Sequence, residues 1–282
     1  MKKNEQLRKE MFFERSSAWL GRKKGDEDTI FSFAEGYKEF LTANKTERES
    51  VNFVRDRLEK AGFRDISKVK DIKDKAGVYK VIKNKSIIAA RIRTPLESIR
   101  LLASHIDTPR LDLKPMPLYE DSSLAFMRSH YYGGIKKYQW VNVPLAMRAV
   151  VSTSKGTKTI VYGEKEDEPR FLVPDLLIHL ARDQMEKKMK EAISGEDLQI
   201  LVGSMPVDDA DIKDKVKFTV LRLLHEKYGI VEKDFRSADI TFVPAARPSD
   251  IGFDASLIAA YGHDDRVCAY TSLQAFMQVK DP

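Results

Sequence analysis

Two short apolar runs in this 282-residue chain each stop at a histidine and carboxylates, and the two stops lie far apart in sequence. The first, SIRLLAS at residues 98–104, leads into His105 and Asp107. The second, SLIAAYG at residues 256–262, leads into His263, Asp264 and Asp265. Short unbroken apolar runs predict strands buried on both faces. Ligands of β/α sheets gather beyond the carboxyl ends of such strands. A fold that satisfies both runs must close on itself around everything between them.

Upstream of the first run, residues 28–63 predict two helices. The second begins near Thr46, with Glu49 three residues on in the pattern of a capping box. Val51, Val54 and Leu58 form its apolar face, and Gly62 marks its end. The β-like runs 77–82 and 86–92 flank Asn84-Lys85, which suits a turn. From residue 112 the character changes. Residues 148–163 predict a hairpin with Lys155-Gly156 at its turn. Residues 175–193, just after Pro174, predict one amphipathic helix, and residues 215–229 another that ends at Gly229. Residues 238–253 read as a strand and then a Pro/Gly loop. A β/α core that is left near 112 and regained near 250 predicts an inserted second domain. The expected layout is therefore 1–111 and 251–282 for the core, and 112–250 for a β-rich insertion. After Gly262 a helix is predicted with Val267, Tyr270, Leu273 and Met277 on one face, and with Asp264 or Asp265 at its N-terminus, where an anion is favoured.

Composition narrows the function classes. Hydrophobic residues make up 42% of the chain, enough for a sizeable core, and no apolar run approaches the ~20 residues of a membrane span. The first residues, MKKNEQLRKEMFFERSS, lack the apolar stretch of a secretory signal. The single cysteine, Cys268, excludes an intrachain disulfide framework, so a reducing cytoplasm is the expected address. The net charge of +6 comes from interspersed signs. The most basic stretch, residues 68–85, contains only Tyr79 as an aromatic, which predicts a solvated charged face rather than a nucleic-acid surface.

The two His/Asp clusters carry the chemistry. Residues two apart on a strand share a face, so His105 and Asp107 are expected to point into one cleft. An imidazole suits zinc, a neighbouring carboxylate can orient that ring, and Asp264 can add an oxygen to the same ion or bridge two. Structural readings stand beside this one. A His-x-Asp pair can be a simple hydrogen-bonded pair, and His-Asp-Asp at a helix start can be only a cap.

The segments SHIDTPRLDLKP, YYGG, LLIHLAR and YGHDDR, in that order, resemble the aminopeptidase I/aspartyl aminopeptidase family of dinuclear zinc peptidases, from about residue 10 onward. The resemblance implies a zinc-exopeptidase-like α/β fold: a mixed sheet flanked by helices, with an inserted β-rich lid or dimerisation domain. It implies that His105 is a zinc ligand, Asp107 the carboxylate that supports the site, and Asp264 the carboxylate bridging two divalent ions, zinc in both positions. His179 matches a lid histidine that reaches a neighbouring subunit's active site and helps bind substrate. Asp265, His130, His225 and His263 receive no role. The implied activity is removal of the first residue from unblocked peptides by metal-activated water, in a homo-oligomer built from dimers, commonly a dodecamer, with neither nucleic acid nor membrane as partner.

The family pattern continues with a Glu-Glu pair supplying the general base and a ligand, then a further aspartate and histidine. No Glu-Glu pair occurs in these 282 residues. The sequence reading is therefore of an enzyme cut short at Asp281-Pro282, inactive by itself. Its rivals are a non-catalytic assembly protein that keeps the lid, and a related binuclear hydrolase such as a deacetylase or carboxypeptidase.

Overall fold

The computed structural model describes residues 2–73, 75–95 and 97–279. Asp74, inside the basic stretch, and the pair Asp281-Pro282 lie outside the described residues. Helix α1 (Lys2–Met11) is exposed from Asn4 onward and precedes α2 (Asp26–Ala43). Helix α3 (Glu47–Lys60) starts at the expected capping box: Glu49 N–H donates to the Thr46 hydroxyl, and the Glu49 carboxylate accepts from Thr46 N–H. Such a cap stabilises a helix by about 1 kcal/mol. The apolar stripe of α3 then packs Leu58 with Phe63 and Tyr79.

A small mixed sheet follows. β1 (Arg64–Asp65) runs parallel to β2 (Ala76–Ile82), which pairs antiparallel with β3 (Ser86–Ile92). The left-handed residues of its turn are Lys83 and Asn84, one position earlier than expected. Tyr79 is buried and donates to Glu59, so it offers no face to a ligand.

The larger sheet is six-stranded and antiparallel. It comprises β4 (Arg110–Asp121), β5 (Leu124–Tyr132), β6 (Leu145–Thr153), β7 (Gly156–Tyr162), β8 (Ile200–Gly203) and β9 (Asp239–Pro244), in the spatial order β7-β6-β9-β4-β5-β8. The predicted β6–β7 hairpin forms, but with Thr153 opposite Gly156, so Ser154 and Lys155 make the turn, one position earlier than expected. A core of Leu111, Leu145, Ile200 and Phe242 lies on one face, covered by Val216 and Val220 of the predicted helix 215–228. The left-handed φ of +70° at Gly229 ends that helix as the sequence implied.

Three expectations fail. Residues 98–104 form no strand, and Leu101 is 82% exposed. A strand buried on both faces needs partners on both edges, and among the described residues none pairs with this run. Residues 175–193 form not one helix but a 3-10 turn (Ile178–Leu180) and two short helices, α4 (Arg182–Met185) and α5 (Met189–Ala192). Leu177 and Lys188 adopt extended ψ values of 155° and 144°, which breaks the helical ladder. Gln184 then folds the segment on itself by donating to the Asp175 carboxylate at 2.9 Å. The run 256–262 does contain a strand, but an exposed one. After helix α6 (Lys215–Tyr228) and β9, β10 (Ser249–Ile251) pairs with β11 (Leu257–Ala259) as an isolated ribbon. Helix α7 (His263–Gln278) closes the chain and packs Tyr270 against Tyr37, Phe40 and Leu41 of α2. Of its predicted face, Tyr270 and Leu273 are buried, whereas Val267 is exposed.

The first turn of α3 joins these parts. Glu47 accepts from Arg110 of β4 at 2.7 Å, and Arg48 donates to Asp239 of β9 at 3.1 Å. Glu49 accepts from Arg148 of β6. Just before it, buried Lys45 donates to Glu164 at 3.0 Å and to the Pro244 carbonyl at 2.7 Å, while its own carbonyl accepts from Arg266 of α7. Each cation in this polar interior faces a carboxylate or carbonyl, as burial of charge requires.

Candidate metal centre

Both His/Asp clusters leave regular structure just where their side chains meet. His105 lies in the unpaired segment ahead of β4, so it does not end a paired strand as the sequence predicted. Asp264 and Asp265 sit at the start of α7 with non-helical backbone angles, joined by a cis peptide bond. Gly262 supplies no side-chain cap to the helix, and the two carboxylates turn to His105: Asp264 to its ring and Asp265 to its backbone N–H. Gly262 precedes them at φ +93°, a conformation that suits glycine. A β-carbon there would stand 2.4 Å from Arg266 Nη1. Arg266 is itself 1% exposed and lies 5.5 Å over the Tyr261 ring.

The geometry is convergent. His105 Nε2 lies 3.1 Å from Asp264 Oδ1. His105 Nδ1 lies 3.0 Å from the Asp107 carbonyl oxygen and 3.3 Å from Asp107 Oδ1. The His105 backbone N–H donates to Asp265 Oδ2 at 3.4 Å, and the Thr108 hydroxyl donates to the Asp264 carbonyl at 3.3 Å. Tyr132, the last residue of β5, donates its hydroxyl to Asp107 Oδ2 at 2.8 Å. The side chains of His105 and Asp264 are 53% and 91% exposed, so the pair faces solvent.

Electrostatics follow from this placement. Partial desolvation works against the His105 imidazolium. The Asp107 carbonyl and the carboxylates of Asp107, Asp265 and Asp264 outweigh it and raise the ring above its ordinary range. Partial burial would likewise raise Asp107, but the Tyr132 hydroxyl, its own backbone N–H, His105 and Arg110 together hold it below the usual carboxylate range. Both ring nitrogens of His105 face oxygen acceptors. That arrangement suits an imidazolium, or a neutral ring with a cation between Nε2 and Asp264.

The second option fits zinc. Two ligands at about 2.0–2.1 Å in a tetrahedral shell stand roughly 3.3 Å apart, close to the observed 3.1 Å. Imidazole nitrogen and carboxylate oxygen are ordinary zinc donors. Among the described residues, however, no group of three or more His, Cys, Asp or Glu side chains is placed to hold a metal ion.

Other histidines stand apart. His179 lies exposed in the 3-10 turn and makes no hydrogen bond or ion pair with His105, Asp107 or Asp264 among the described residues. His263 accepts or donates between the Tyr37 hydroxyl at 2.9 Å and the Ile258 carbonyl at 3.0 Å, tying α7 to α2 and β11. Sequence reasoning missed the contacts of Tyr132 and Asp265. The only sequence signal for Tyr132 is its place in YYGG.

Comparison with known proteins identifies the lineage. The sequence pattern of the M18 peptidases, described as aminopeptidase I zinc metalloproteases, matches residues 40–282. A probable M18 family aminopeptidase 1 of Clostridium acetobutylicum is 45% identical over 259 residues, covering 89% of this chain and 56% of that protein. A crystal structure of an M18 family aminopeptidase from Thermotoga maritima superposes with a TM-score of 0.89 at 41% identity, covering 95% of this chain and 59% of that one. Aminopeptidase I of C. acetobutylicum gives a TM-score of 0.88 at 38% identity, covering 96% of this chain and 61% of that one. This chain therefore spans somewhat more than half the length of the relatives it matches. Its α/β fold, with a mixed sheet flanked by helices, is that of these enzymes, and the chain belongs to the M18 family of aminopeptidase I zinc metalloproteases.

Proposed function

We propose that this chain serves a zinc-dependent aminopeptidase that removes the first residue of unblocked peptides. The observation that carries the reading is the approach of His105 Nε2 to Asp264 Oδ1 at 3.1 Å. His105 and Asp264 would hold zinc, and Asp264, with one oxygen on His105 and the other free, suits a second ion beside the first. Bound zinc would supply a Lewis acid and a water that ionises near neutral pH. The chain's own residues prepare the place. The Asp107 carbonyl accepts a hydrogen bond from His105 Nδ1–H, which leaves Nε2 with its lone pair. The Asp107 carboxylate then fixes the plane of the ring. The glutamate base and remaining ligands of the family pattern have no counterpart here.

The unit 112–250, centred on the six-stranded sheet, is the proposed lid and dimerisation domain. His179, exposed among Leu176, Leu177, Ile178 and Leu180, would meet substrate in a neighbouring subunit of a homo-oligomer built from dimers, up to a dodecamer. Those four exposed apolar side chains favour burial against another copy. No helix among the described residues is long and apolar enough to cross a membrane. The proposed address is cytoplasmic.

A second reading is favoured by the missing third ligand: an assembly unit of the same fold that performs no chemistry. Zinc analysis together with hydrolysis of a free-amino peptide and its N-acetylated twin separates the two. In the full-length enzyme this chain serves, where the general base is present, zinc-dependent cleavage of the free-amino peptide alone is the expected result. Cleavage of the blocked peptide would point to another binuclear hydrolase, and no zinc uptake would leave the assembly reading.

A further inference from the structure

We propose that Tyr132 is a positioning residue for the cation site, acting on His105 through Asp107. The inference rests on the reading of His105 as a ligand and adds to it a residue that never touches the ion.

Tyr132 closes β5 directly opposite Arg110, which opens β4. Arg110 is fixed before Tyr132 meets it: Nη1 donates to Glu47 at 2.7 Å and Nε to Asp112 at 2.8 Å. Its guanidinium then lies 4.1 Å from the centre of the Tyr132 ring, within the range of a cation–π contact. The ring is thus held against an anchored plane, and its hydroxyl is delivered to Asp107 Oδ2 at 2.8 Å. The other oxygen of the same carboxylate lies 3.3 Å from His105 Nδ1.

Asp107 is therefore gripped at both oxygens, one by a rigid donor and one by the ring it must orient. The terminal torsion of an aspartate is broad and roughly two-fold, and Asp107 is only half-buried. Without the tyrosine hydroxyl its carboxylate can turn away, and His105 Nδ1 keeps only the backbone carbonyl at 3.0 Å. Partners that orient a ligating histidine typically change metal affinity by about 10–100-fold. The path Glu47–Arg110–Tyr132–Asp107–His105 also carries the register of the six-stranded sheet to the site, since Tyr132 and Arg110 are a cross-strand pair.

A purely structural role is the rival, in which the ring matters only as a cover for Arg110. Tyr132→Phe separates the two, because it keeps the ring and the cation contact and removes only the hydroxyl. Three proteins are compared over the full chain: wild type, Tyr132→Phe and His105→Ala. Zinc affinity is read by calorimetric titration with the metal alone. Thermal midpoint and the NMR signal of the His105 ring are read without metal. The expected result is zinc binding about tenfold weaker in Tyr132→Phe, an unchanged midpoint, and a His105 ring signal split or broadened by more than one orientation. Unaltered affinity in Tyr132→Phe overturns the proposal, as does a loss matched by a lower midpoint. If His105→Ala binds zinc as wild type does, the ligand assignment fails instead. The metal-free ring signal then decides Tyr132 alone, and a single sharp His105 environment in Tyr132→Phe overturns its role.

Discussion

His105 and Asp264 stand 159 residues apart in sequence and 3.1 Å apart through Nε2 and Oδ1. Two contacts pin the backbones behind them: His105 N–H to the Asp265 carboxylate and Thr108 to the Asp264 carbonyl. The pair is thus set by main-chain placement, and the side chains themselves remain open to solvent.

That exposure gives a clean mutational test. His105→Ala and Asp264→Ala each remove a donor without opening a cavity. Both variants should unfold at the wild-type temperature in the absence of metal. Zinc at a hundred times its Kd should stabilise the wild type by about 2.7 kcal/mol and leave both variants unmoved. Differential scanning calorimetry with and without zinc, and after chelation, reads the effect. Equal stabilisation of all three proteins would place the metal elsewhere.

Gly262→Ala tests the support beneath Asp264. The new methyl would meet Arg266 Nη1 at 2.4 Å, at a φ of +93° that alanine resists. The expected loss is about 1–3 kcal/mol in urea unfolding, with weaker zinc binding as the displaced arginine shifts the start of α7. An alanine variant as stable as wild type would show that Arg266 moves aside without strain.

Arg148 is 7% exposed and bonds Glu49 of α3 as well as Glu164, the latter at 2.7 Å. Arg148→Ala removes the guanidinium from both carboxylates and leaves Glu164 paired with Lys45 alone. Breaking a buried ionic cluster in this way costs about 3–5 kcal/mol, which denaturant titration measures directly. A loss below about 1 kcal/mol would mean that water screens the cluster.

Asp239 provides a pH signature. Partial burial would raise its pKa, but Lys85 and Arg48 prevail and hold the carboxylate below its ordinary value of 3.8. A carboxylate with a depressed folded pKa contributes its full stability above the unfolded value and loses it as pH falls through the folded one. Asp239→Asn should therefore be less stable than wild type at pH 7, and the gap should begin to close below about pH 3.8 and vanish once pH falls past the folded pKa. A gap that persists into acid would assign the loss to packing rather than charge.

What could be read in the sequence was local chemistry. Thr46 and Glu49 announce the start of α3 because the cap is built from residues three apart. Gly229 ends α6 because the chain turns left-handed there, at φ +70°. The run from Ala238 reads as a strand, and in β9 Phe242 and Val243 are fully buried. What failed depended on distant partners. Leu101 and Leu102 are as apolar as Phe242, yet no strand lies beside them among the described residues. The helix expected from Asp175 to Ile193 breaks where Leu177 and Lys188 turn extended, which side-chain periodicity does not record. For the candidate site, residue types pointed to His105, Asp107 and Asp264, which the fold brings within 3.3 Å of one another through His105. The Tyr132–Asp107 bond escaped because it follows from the register between β4 and β5, a relation between strands rather than a pattern within one.

The opening turn of α3 has a further consequence for anyone who redesigns this scaffold. Glu47, Arg48 and Glu49 point to three different strands, so each side chain is right only at its present angle around the helix. Inserting a single residue after Thr46 would rotate all three by about 100° and unlatch them together. Loop grafts elsewhere keep that indexing, and a combinatorial library built on this framework should leave these three positions, and the spacing before them, untouched.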